Sequence, residues 1–380
     1  MDEIDELLTR GVGEVLPSKE GLKTLMAERK ITLYQGFDPS SPHLHLGHLA
    51  CMRKLAKFQA LGHKVILLIG DFTGMIGDPT DKLAARKQLT REEAEKNTEG
   101  WREVASQILD LEGANKAEIR YNSEWSDKLS FKELIGITSN FTVQQMIERD
   151  MFQKRLADNA PIYLSEFLYP VAQGIDSVEL GVDLEIGGTD QLFNMLAGRA
   201  LMKALKGKEK FVLTIKLLED STGKKMGKTE GNAVNLTDSP EDIYGKTMAL
   251  PDGFLERGIE LLTDLPLDTA DSEGPLKAKK KLAYEVVAQL YGEGKAKEAQ
   301  EKFESTFQER KPEFVNEISA QKSLADTIAQ LSSVGSLSQA KRLIEQGAVD
   351  VSGETVKDAS YRPRKGEEIK VGKKEFVKIK

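Results

Sequence analysis

Residues 31–69 constrain the fold of this chain more than any other stretch. Ile31-Thr32-Leu33-Tyr34 is a short apolar run and Val65-Ile66-Leu67-Leu68-Ile69 a continuous one, and both read as strands buried on two faces. Between them a Gly/Pro/Ser-rich turn leads into Leu46, Leu49, Met52, Leu55 and Ala56, a helical spacing, with Gly62 where the helix should end. Strand, helix and strand in this order predict a βαβ unit and so a parallel sheet. At the start of the helix His45 and His48 are three residues apart, on one face of the first turn, and Gly47 between them allows close approach to the backbone. A helix N-terminus offers unpaired N–H groups and partial positive charge, and two imidazoles extend it, so the stretch suits a polyphosphate. Three of the four histidines (His43, His45, His48) fall within six residues. Their spacing also suits a metal, but the single Cys51 supplies no thiolate cluster to complete one; a solvated turn is the bland alternative.

A chain of 380 residues has room for two or three domains with separate cores. One cysteine rules out an intrachain disulfide framework and gives no sign of an oxidising compartment. The first residues, MDEIDELLTR, are acidic where a signal peptide is basic, and no apolar run reaches membrane-spanning length. The expectation is a cytoplasmic protein without a membrane partner. A net charge of −7 argues against a chain coated in nucleic acid, yet residues 322–380 carry twelve Lys/Arg against eight Asp/Glu, a balance of +4 that leaves −11 for the rest. A basic end on an acidic body can meet RNA locally, although such a run is often only a solvated face.

Taken in order, residues 1–30 read as two short amphipathic helices. Gly70–Pro79 is a glycine-rich turn carrying Asp71, Thr73 and Asp78 at the end of a strand, where open α/β sheets place ligands. Residues 81–160 read as a mainly helical insertion, and the apolar positions of Phe141–Phe152 suit either a subunit interface or ordinary core. Tyr169, Gln173 and Asp176 share one helix face. The strand Val182–Ile186 then runs into Gly187-Gly188-Thr189-Asp190-Gln191, with Thr189 or Asp190 as N-cap of a helix Leu192–Leu205, a pattern suited to ribose hydroxyls. After the strand Phe211–Lys216 comes Glu219–Asn232, a polar loop whose Lys224, Lys225 and Lys228 are either inert surface or a lid over phosphates. Residues 240–320 are helical, including Pro275–Tyr291; Gln308–Ser323 reads as a linker, and a helix (Ser338–Gln346) with short strands closes the chain.

With these pieces in place the whole chain resembles the class I aminoacyl-tRNA synthetases, and among them the bacterial tyrosyl branch. His45-Leu46-Gly47-His48 is similar to the HIGH motif, with leucine for isoleucine, and Lys225-Met226-Gly227-Lys228-Thr229 to the KMSKS loop, with glycine and threonine for the two serines. The resemblance implies an α/β architecture: a Rossmann-like catalytic domain over 1–232 with a helical insertion at 81–160, a helical anticodon-binding domain over 233–320, and a small α+β S4-like RNA-binding domain over 322–380. It implies that His45, His48, Lys225 and Lys228 act on the phosphates, and that Tyr34 and Asp176 meet the phenol of L-tyrosine. It gives Asp78, Tyr169 and Gln173 to the α-ammonium, Gln191 to the carboxylate, and Gly47, Gly188, Asp190 and Asp38 to ATP or the adenylate. The implied partners are L-tyrosine, ATP with Mg2+ as its substrate complex, tRNA(Tyr) and a second copy in a homodimer, with no protein-bound metal. The rivals are the sister tryptophanyl enzyme, a small-metabolite nucleotidyltransferase, and a non-catalytic RNA-binding relative.

Overall fold

Six strands form the sheet that the strand–helix–strand pattern requires. The computed structural model describes residues 2–80, 89–220, 222–223, 226, 233–307, 316–331, 333–372 and 375–380. In chain order the strands are β1 (Val12–Leu16), β2 (Thr32–Phe37), β3 (Lys64–Ile69), β4 (Glu118–Tyr121), β5 (Leu184–Gly188) and β6 (Phe211–Ile215). They lie in the order β1-β6-β5-β2-β3-β4, all parallel except the edge strand β1. The chain therefore steps outward from β2 to β3 and β4, then returns to the other side of β2 for β5 and β6. That reversal, between β2 and β5, is where doubly wound sheets open a crevice beyond the strand ends.

Two strands of this sheet escaped the sequence reading, as did the strand Asn316–Ile318 within the stretch read as a linker. Residues 1–30 contain β1 between the helices Glu3–Leu7 and Lys19–Glu28, and the stretch read as a helical insertion contains β4. Both are edge strands with half-exposed faces, so neither shows the continuous apolar run that marked β3. The fifth strand also begins two residues later than expected, at Leu184.

Asp183, just before β5, joins the starts of three strands. Its carboxylate accepts from the Thr32 N–H at 2.9 Å, both Arg29 guanidinium nitrogens at 2.9 and 2.6 Å, and Lys208 Nζ at 2.8 Å. Its backbone exchanges bonds with Thr32 and Phe211. Burial pushes the carboxyl upward, but these donors outweigh it and bring the pKa down to about 2.

Helices cover the sheet. Leu46–Ala60 is the crossover from β2 to β3, and Gly62 turns the chain after it with φ of 83°. Leu164–Leu180 and Leu192–Lys206 pack against each other so closely that a Cβ on Gly174 would stand 3.3 Å from the Gly198 backbone. The helix expected over Leu192–Leu205 is preceded by a single 3-10 turn, Thr189–Gln191, so Gln191 rather than Thr189 or Asp190 occupies its cap position.

Contacts divide the chain into two units, 1–297 and 298–380. The first includes Pro240–Met248, Leu255–Leu262 and Pro275–Tyr291, the last with the bounds expected. In the second, β7 (Asn316–Ile318), β8 (Val349–Val351), β9 (Glu354–Thr355), β10 (Glu368–Val371) and β11 (Glu375–Ile379) form a sheet in the order β7-β11-β10-β8-β9. The helices Leu324–Ile328 and Leu337–Glu345 bury Leu324, Ile328, Ala340 and Ile344 against Val349, Ile369 and Val377.

The segment Phe141–Phe152 is divided. Met146 and Phe152 are buried, and Phe141 packs with Met146, Val171 and Ile175. Val143 faces out, and with Phe131 (78% exposed), Ile135 and Leu164 (77%) it belongs to the exposed apolar surface. Helical periodicity alone does not say which face meets the body of the domain.

Replacing Asp183 by Asn leaves Arg29 and Lys208 without their carboxylate. In urea unfolding at pH 7 the variant is expected to lose about 1–3 kcal/mol, the range for bonds to a charged group. Because the folded pKa lies below the unfolded one, the wild-type advantage is full above about pH 4 and is lost as pH falls toward 2. An equal gap at pH 3 and pH 7 would contradict this.

Candidate active site

The histidines cap their own helix. Gly47 N–H donates to His45 Nδ1 at 3.1 Å, and His45 N–H donates to His48 Nδ1 at 3.0 Å. An imidazole nitrogen that accepts a backbone N–H carries no proton, so each neutral ring keeps its hydrogen on Nε2. The two rings are 4.1 Å apart, and Phe37 packs beside His48. With both Nδ1 atoms engaged, the pair suits hydrogen-bond donation to an oxyanion better than metal ligation. His43 is exposed on the preceding turn.

A short antiparallel bridge fixes what lies next to them. His45 pairs with Asn235; Leu46 N–H donates to Val234 O at 3.1 Å and Leu236 N–H to Leu44 O at 2.8 Å. The chain leaving the lysine loop is thereby tied to the histidine turn. Within the loop Met226 is buried and its N–H donates to Leu218 O at 2.8 Å. Lys224, Lys225, Gly227, Lys228 and Thr229 lie outside the described residues.

Beyond the ends of β2, β3 and β4 a chain of hydrogen bonds links groups remote in sequence. Tyr169 Oη donates to Asp38 Oδ2 at 2.8 Å, and Thr73 Oγ1 donates to Asp38 Oδ1 at 2.7 Å. Asn122 Nδ2 donates to Thr73 Oγ1 at 3.0 Å and to Asp176 Oδ2 at 3.2 Å, while Trp125 Nε1 donates to Asp176 Oδ1 at 2.9 Å. Gly70 is required here, since a Cβ on it would fall 2.0 Å from Asp38 Oδ1. Gln191 Nε2 donates to Asp78 Oδ2 at 2.7 Å, and the Thr80 N–H to Asp78 Oδ1 at 2.8 Å.

Desolvation dominates the electrostatics. Burial raises Asp38 to about 7 against the bonds from Thr73 and Tyr169, and it raises Asp78 and, much further, Asp176. Three carboxyls in one crevice held by neutral donors form a site awaiting positive charge or a hydroxyl. Burial lifts the Cys51 thiol to about 11, which removes it as a nucleophile.

Of the residues expected from sequence, Asp38, Tyr169 and Asp176 belong to this bonded chain, Asp78 and Gln191 bond to each other, and His45, Gly47 and His48 stand at the helix start. Gly188 ends β5, and Asp190 is exposed on the turn after it. Tyr34 Oη contacts Ser177 Oγ at 2.9 Å, and Gln173 Nε2 donates to Glu185 Oε1 at 2.9 Å. Sequence reasoning missed Asn122, Trp125, Ser177, Glu185 and Lys210. The first two follow β4, whose omission hid their place at a strand end. A second miss is Arg149, buried over Phe193 at 4.8 Å and Phe152 at 5.6 Å. Among the described residues its Nη1 has no hydrogen-bond partner.

Residues 26–308 match the family of class I tRNA synthetases (W and Y), and residues 323–369 match the S4 domain. The chain is 40% identical to a tyrosine–tRNA ligase of Thermotoga maritima, over 100% of this chain and 97% of that protein. It is 41% identical to one from Oleidesulfovibrio alaskensis, over 100% and 99%. Among solved structures it superposes on a C-terminally truncated mitochondrial tyrosyl-tRNA synthetase of Coccidioides posadasii with a TM-score of 0.65 and 25% identity, covering 79% of this chain and 91% of that one.

The raised pKa of Asp38 has a stability consequence. Its folded pKa lies above the unfolded one, so its contribution is full below about pH 4 and is lost as pH rises through about 7. Asp38→Asn is expected to flatten the fall in urea stability between pH 5 and pH 8. An unchanged slope would show that Asp38 does not titrate there.

Proposed function

Since the chain belongs to the class I tRNA synthetases of the W and Y group, we propose that it activates L-tyrosine with ATP and transfers it to tRNA(Tyr) as a tyrosine–tRNA ligase. The observation that carries the choice of amino acid is the buried floor made by Tyr34 and Asp176. Trp125 and Asn122 hold the Asp176 carboxyl, and beside Tyr34 it suits a phenol hydroxyl, which both donates and accepts, better than an indole N–H, which only donates.

The first step joins a tyrosine carboxylate oxygen to the α-phosphorus of ATP while the bond to pyrophosphate breaks. A carboxylate is ionised at neutral pH, so no general base is required; in-line placement and charge stabilisation are. His45 and His48 donate from Nε2 to the phosphates, with Gly47 leaving room against the backbone. Lys225 and Lys228 neutralise charge on the departing pyrophosphate, and Mg2+ arrives with ATP. Asp78, Tyr169 and Gln173 receive the α-ammonium, whose charge favours the ionised form of Asp78 despite its burial. Gln191 lies by the carboxylate, and Asp38, Gly188 and Asp190 serve the adenylate. In the second step the 3′-terminal ribose hydroxyl of the tRNA attacks the acyl carbon and AMP leaves. Residues 233–320 serve as the anticodon-binding domain and 322–380 as the S4-type RNA contact.

A homodimer fits the exposed apolar surface of Phe131, Ile135, Val143 and Leu164. The protein is assigned to the cytoplasm; among the described residues no helix is long and apolar enough to cross a membrane.

Amino-acid-dependent ATP–pyrophosphate exchange tests the reaction without tRNA. Exchange is expected with tyrosine and not with phenylalanine or tryptophan, and His45→Ala should lower kcat by about 10²–10³, as for loss of one transition-state donor. Silence with all three from folded protein would reject the assignment; preference for tryptophan would move it to the sister enzyme. For the assembly, Phe131→Asp with Leu164→Asp should shift the sedimentation coefficient from dimer to monomer, and a species insensitive to both would exclude this face.

A further inference from the structure

Lys210, immediately before β6, and Glu185 in β5 form an ion pair whose side chains are 0% and 2% exposed. Burying two charges is costly unless every bonding position is filled, and here the group is filled. The Lys210 ammonium reaches Glu185 Oε2, Ser177 Oγ at 3.0 Å and the Met195 carbonyl at 3.0 Å, using its three hydrogens. Ser177 Oγ donates to Glu185 Oε2 at 3.2 Å, and Glu185 Oε1 accepts from Gln173 Nε2 at 2.9 Å. Gly198, inside its helix, makes the space: a Cβ there would stand 2.7 Å from Lys210 Nζ and 2.8 Å from Ser177 Oγ. A glycine in a helix interior costs about 1 kcal/mol relative to alanine.

Counting hydrogens fixes the polarity of this group. Lys210 has none left, and Ser177 directs its only one to Glu185. Toward Tyr34 Oη, 2.9 Å away, Ser177 Oγ is therefore an acceptor, as is the Gln173 carbonyl at 3.4 Å. The Tyr34 hydrogen turns inward and its lone pairs are left for the pocket. The Gln173 amide gives one N–H to Glu185, which fixes its orientation and presents Oε1 as an acceptor beside its second N–H.

We infer that Lys210, Glu185 and Ser177 are positioning residues that present Tyr34 and Gln173 as hydrogen-bond acceptors, matched to a ligand's para hydroxyl and its α-ammonium. The inference rests on the reading of the crevice as a tyrosine pocket and adds the determinant behind it. Asp176, whose pKa burial raises far above the usual range, supplies the complementary donor to the phenol oxygen when protonated.

Two variants test it: Ser177→Ala, which keeps the ion pair, and Glu185→Leu with Lys210→Met, which replaces the pair by apolar groups of similar size. Pyrophosphate exchange is measured with tyrosine, phenylalanine and 4-aminophenylalanine, a para donor, alongside thermal melts. Both variants should raise the tyrosine KM and lower tyrosine-over-phenylalanine preference by about tenfold, with kcat and the ATP KM within about twofold, the scale of one misdirected buried hydrogen bond. The wild type should use 4-aminophenylalanine better than phenylalanine, and the variants should lose that preference. Unchanged preference in folded variants overturns the inference, as does a uniform loss in kcat that extends to the ATP KM. If the double variant does not fold, Ser177→Ala alone decides. A wild type silent with tyrosine defeats the pocket reading itself, whereas an active wild type with indifferent variants defeats only the inference.

Discussion

The parallel pairing of β2 with β5 rests on two registered pairs, Leu33 with Leu184 and Tyr34 with Glu185. In a strand, neighbouring side chains face opposite ways, so a slip of one residue would send Tyr34 to the other face of the sheet and separate it from Ser177 and Glu185. Asp183, one residue before β5, holds that register by taking the Thr32 N–H on its side chain and giving its own N–H to the Thr32 carbonyl. The crevice opens at this junction because the chain reverses its order there. Fold and pocket thus depend on one short contact, reinforced by a carboxylate with three sets of donors.

From that junction the site is built by desolvation. Asp38, Asp78 and Asp176 are held by neutral donors (Thr73, Tyr169, Gln191, Asn122 and Trp125) that orient the carboxyls without neutralising them. Among the described residues the one fully enclosed ion pair, Lys210 with Glu185, lies behind Tyr34 and Gln173 and has its own bonds complete. The difference is physical: a group that must respond to a ligand keeps capacity to bond, and a group that must hold others still has none left. The histidines belong to the second kind at Nδ1, where each accepts a backbone N–H.

The start of the histidine helix and the chain at Val234–Leu236, about 190 residues further on, meet through a bridge of three residues on each side.

Much of this was legible in the residues. The βαβ start, the two histidines one helical turn apart, the polar stripe Tyr169–Gln173–Asp176 and the glycines that end β5 follow from periodicity and local backbone chemistry, which neighbouring residues alone impose. What the sequence could not show were β1 and β4, edge strands with no apolar signature, and with β4 the placement of Asn122 and Trp125 on Asp176. Nor could it show that Met146 and Phe152 turn inward while Val143 faces out, that Gly198 faces a buried lysine, or that Ser177 stands between Tyr34 and Glu185. Each of these is a contact between segments far apart in the chain. Such contacts are decided by strand order and register, and these appear only when the whole sheet has assembled.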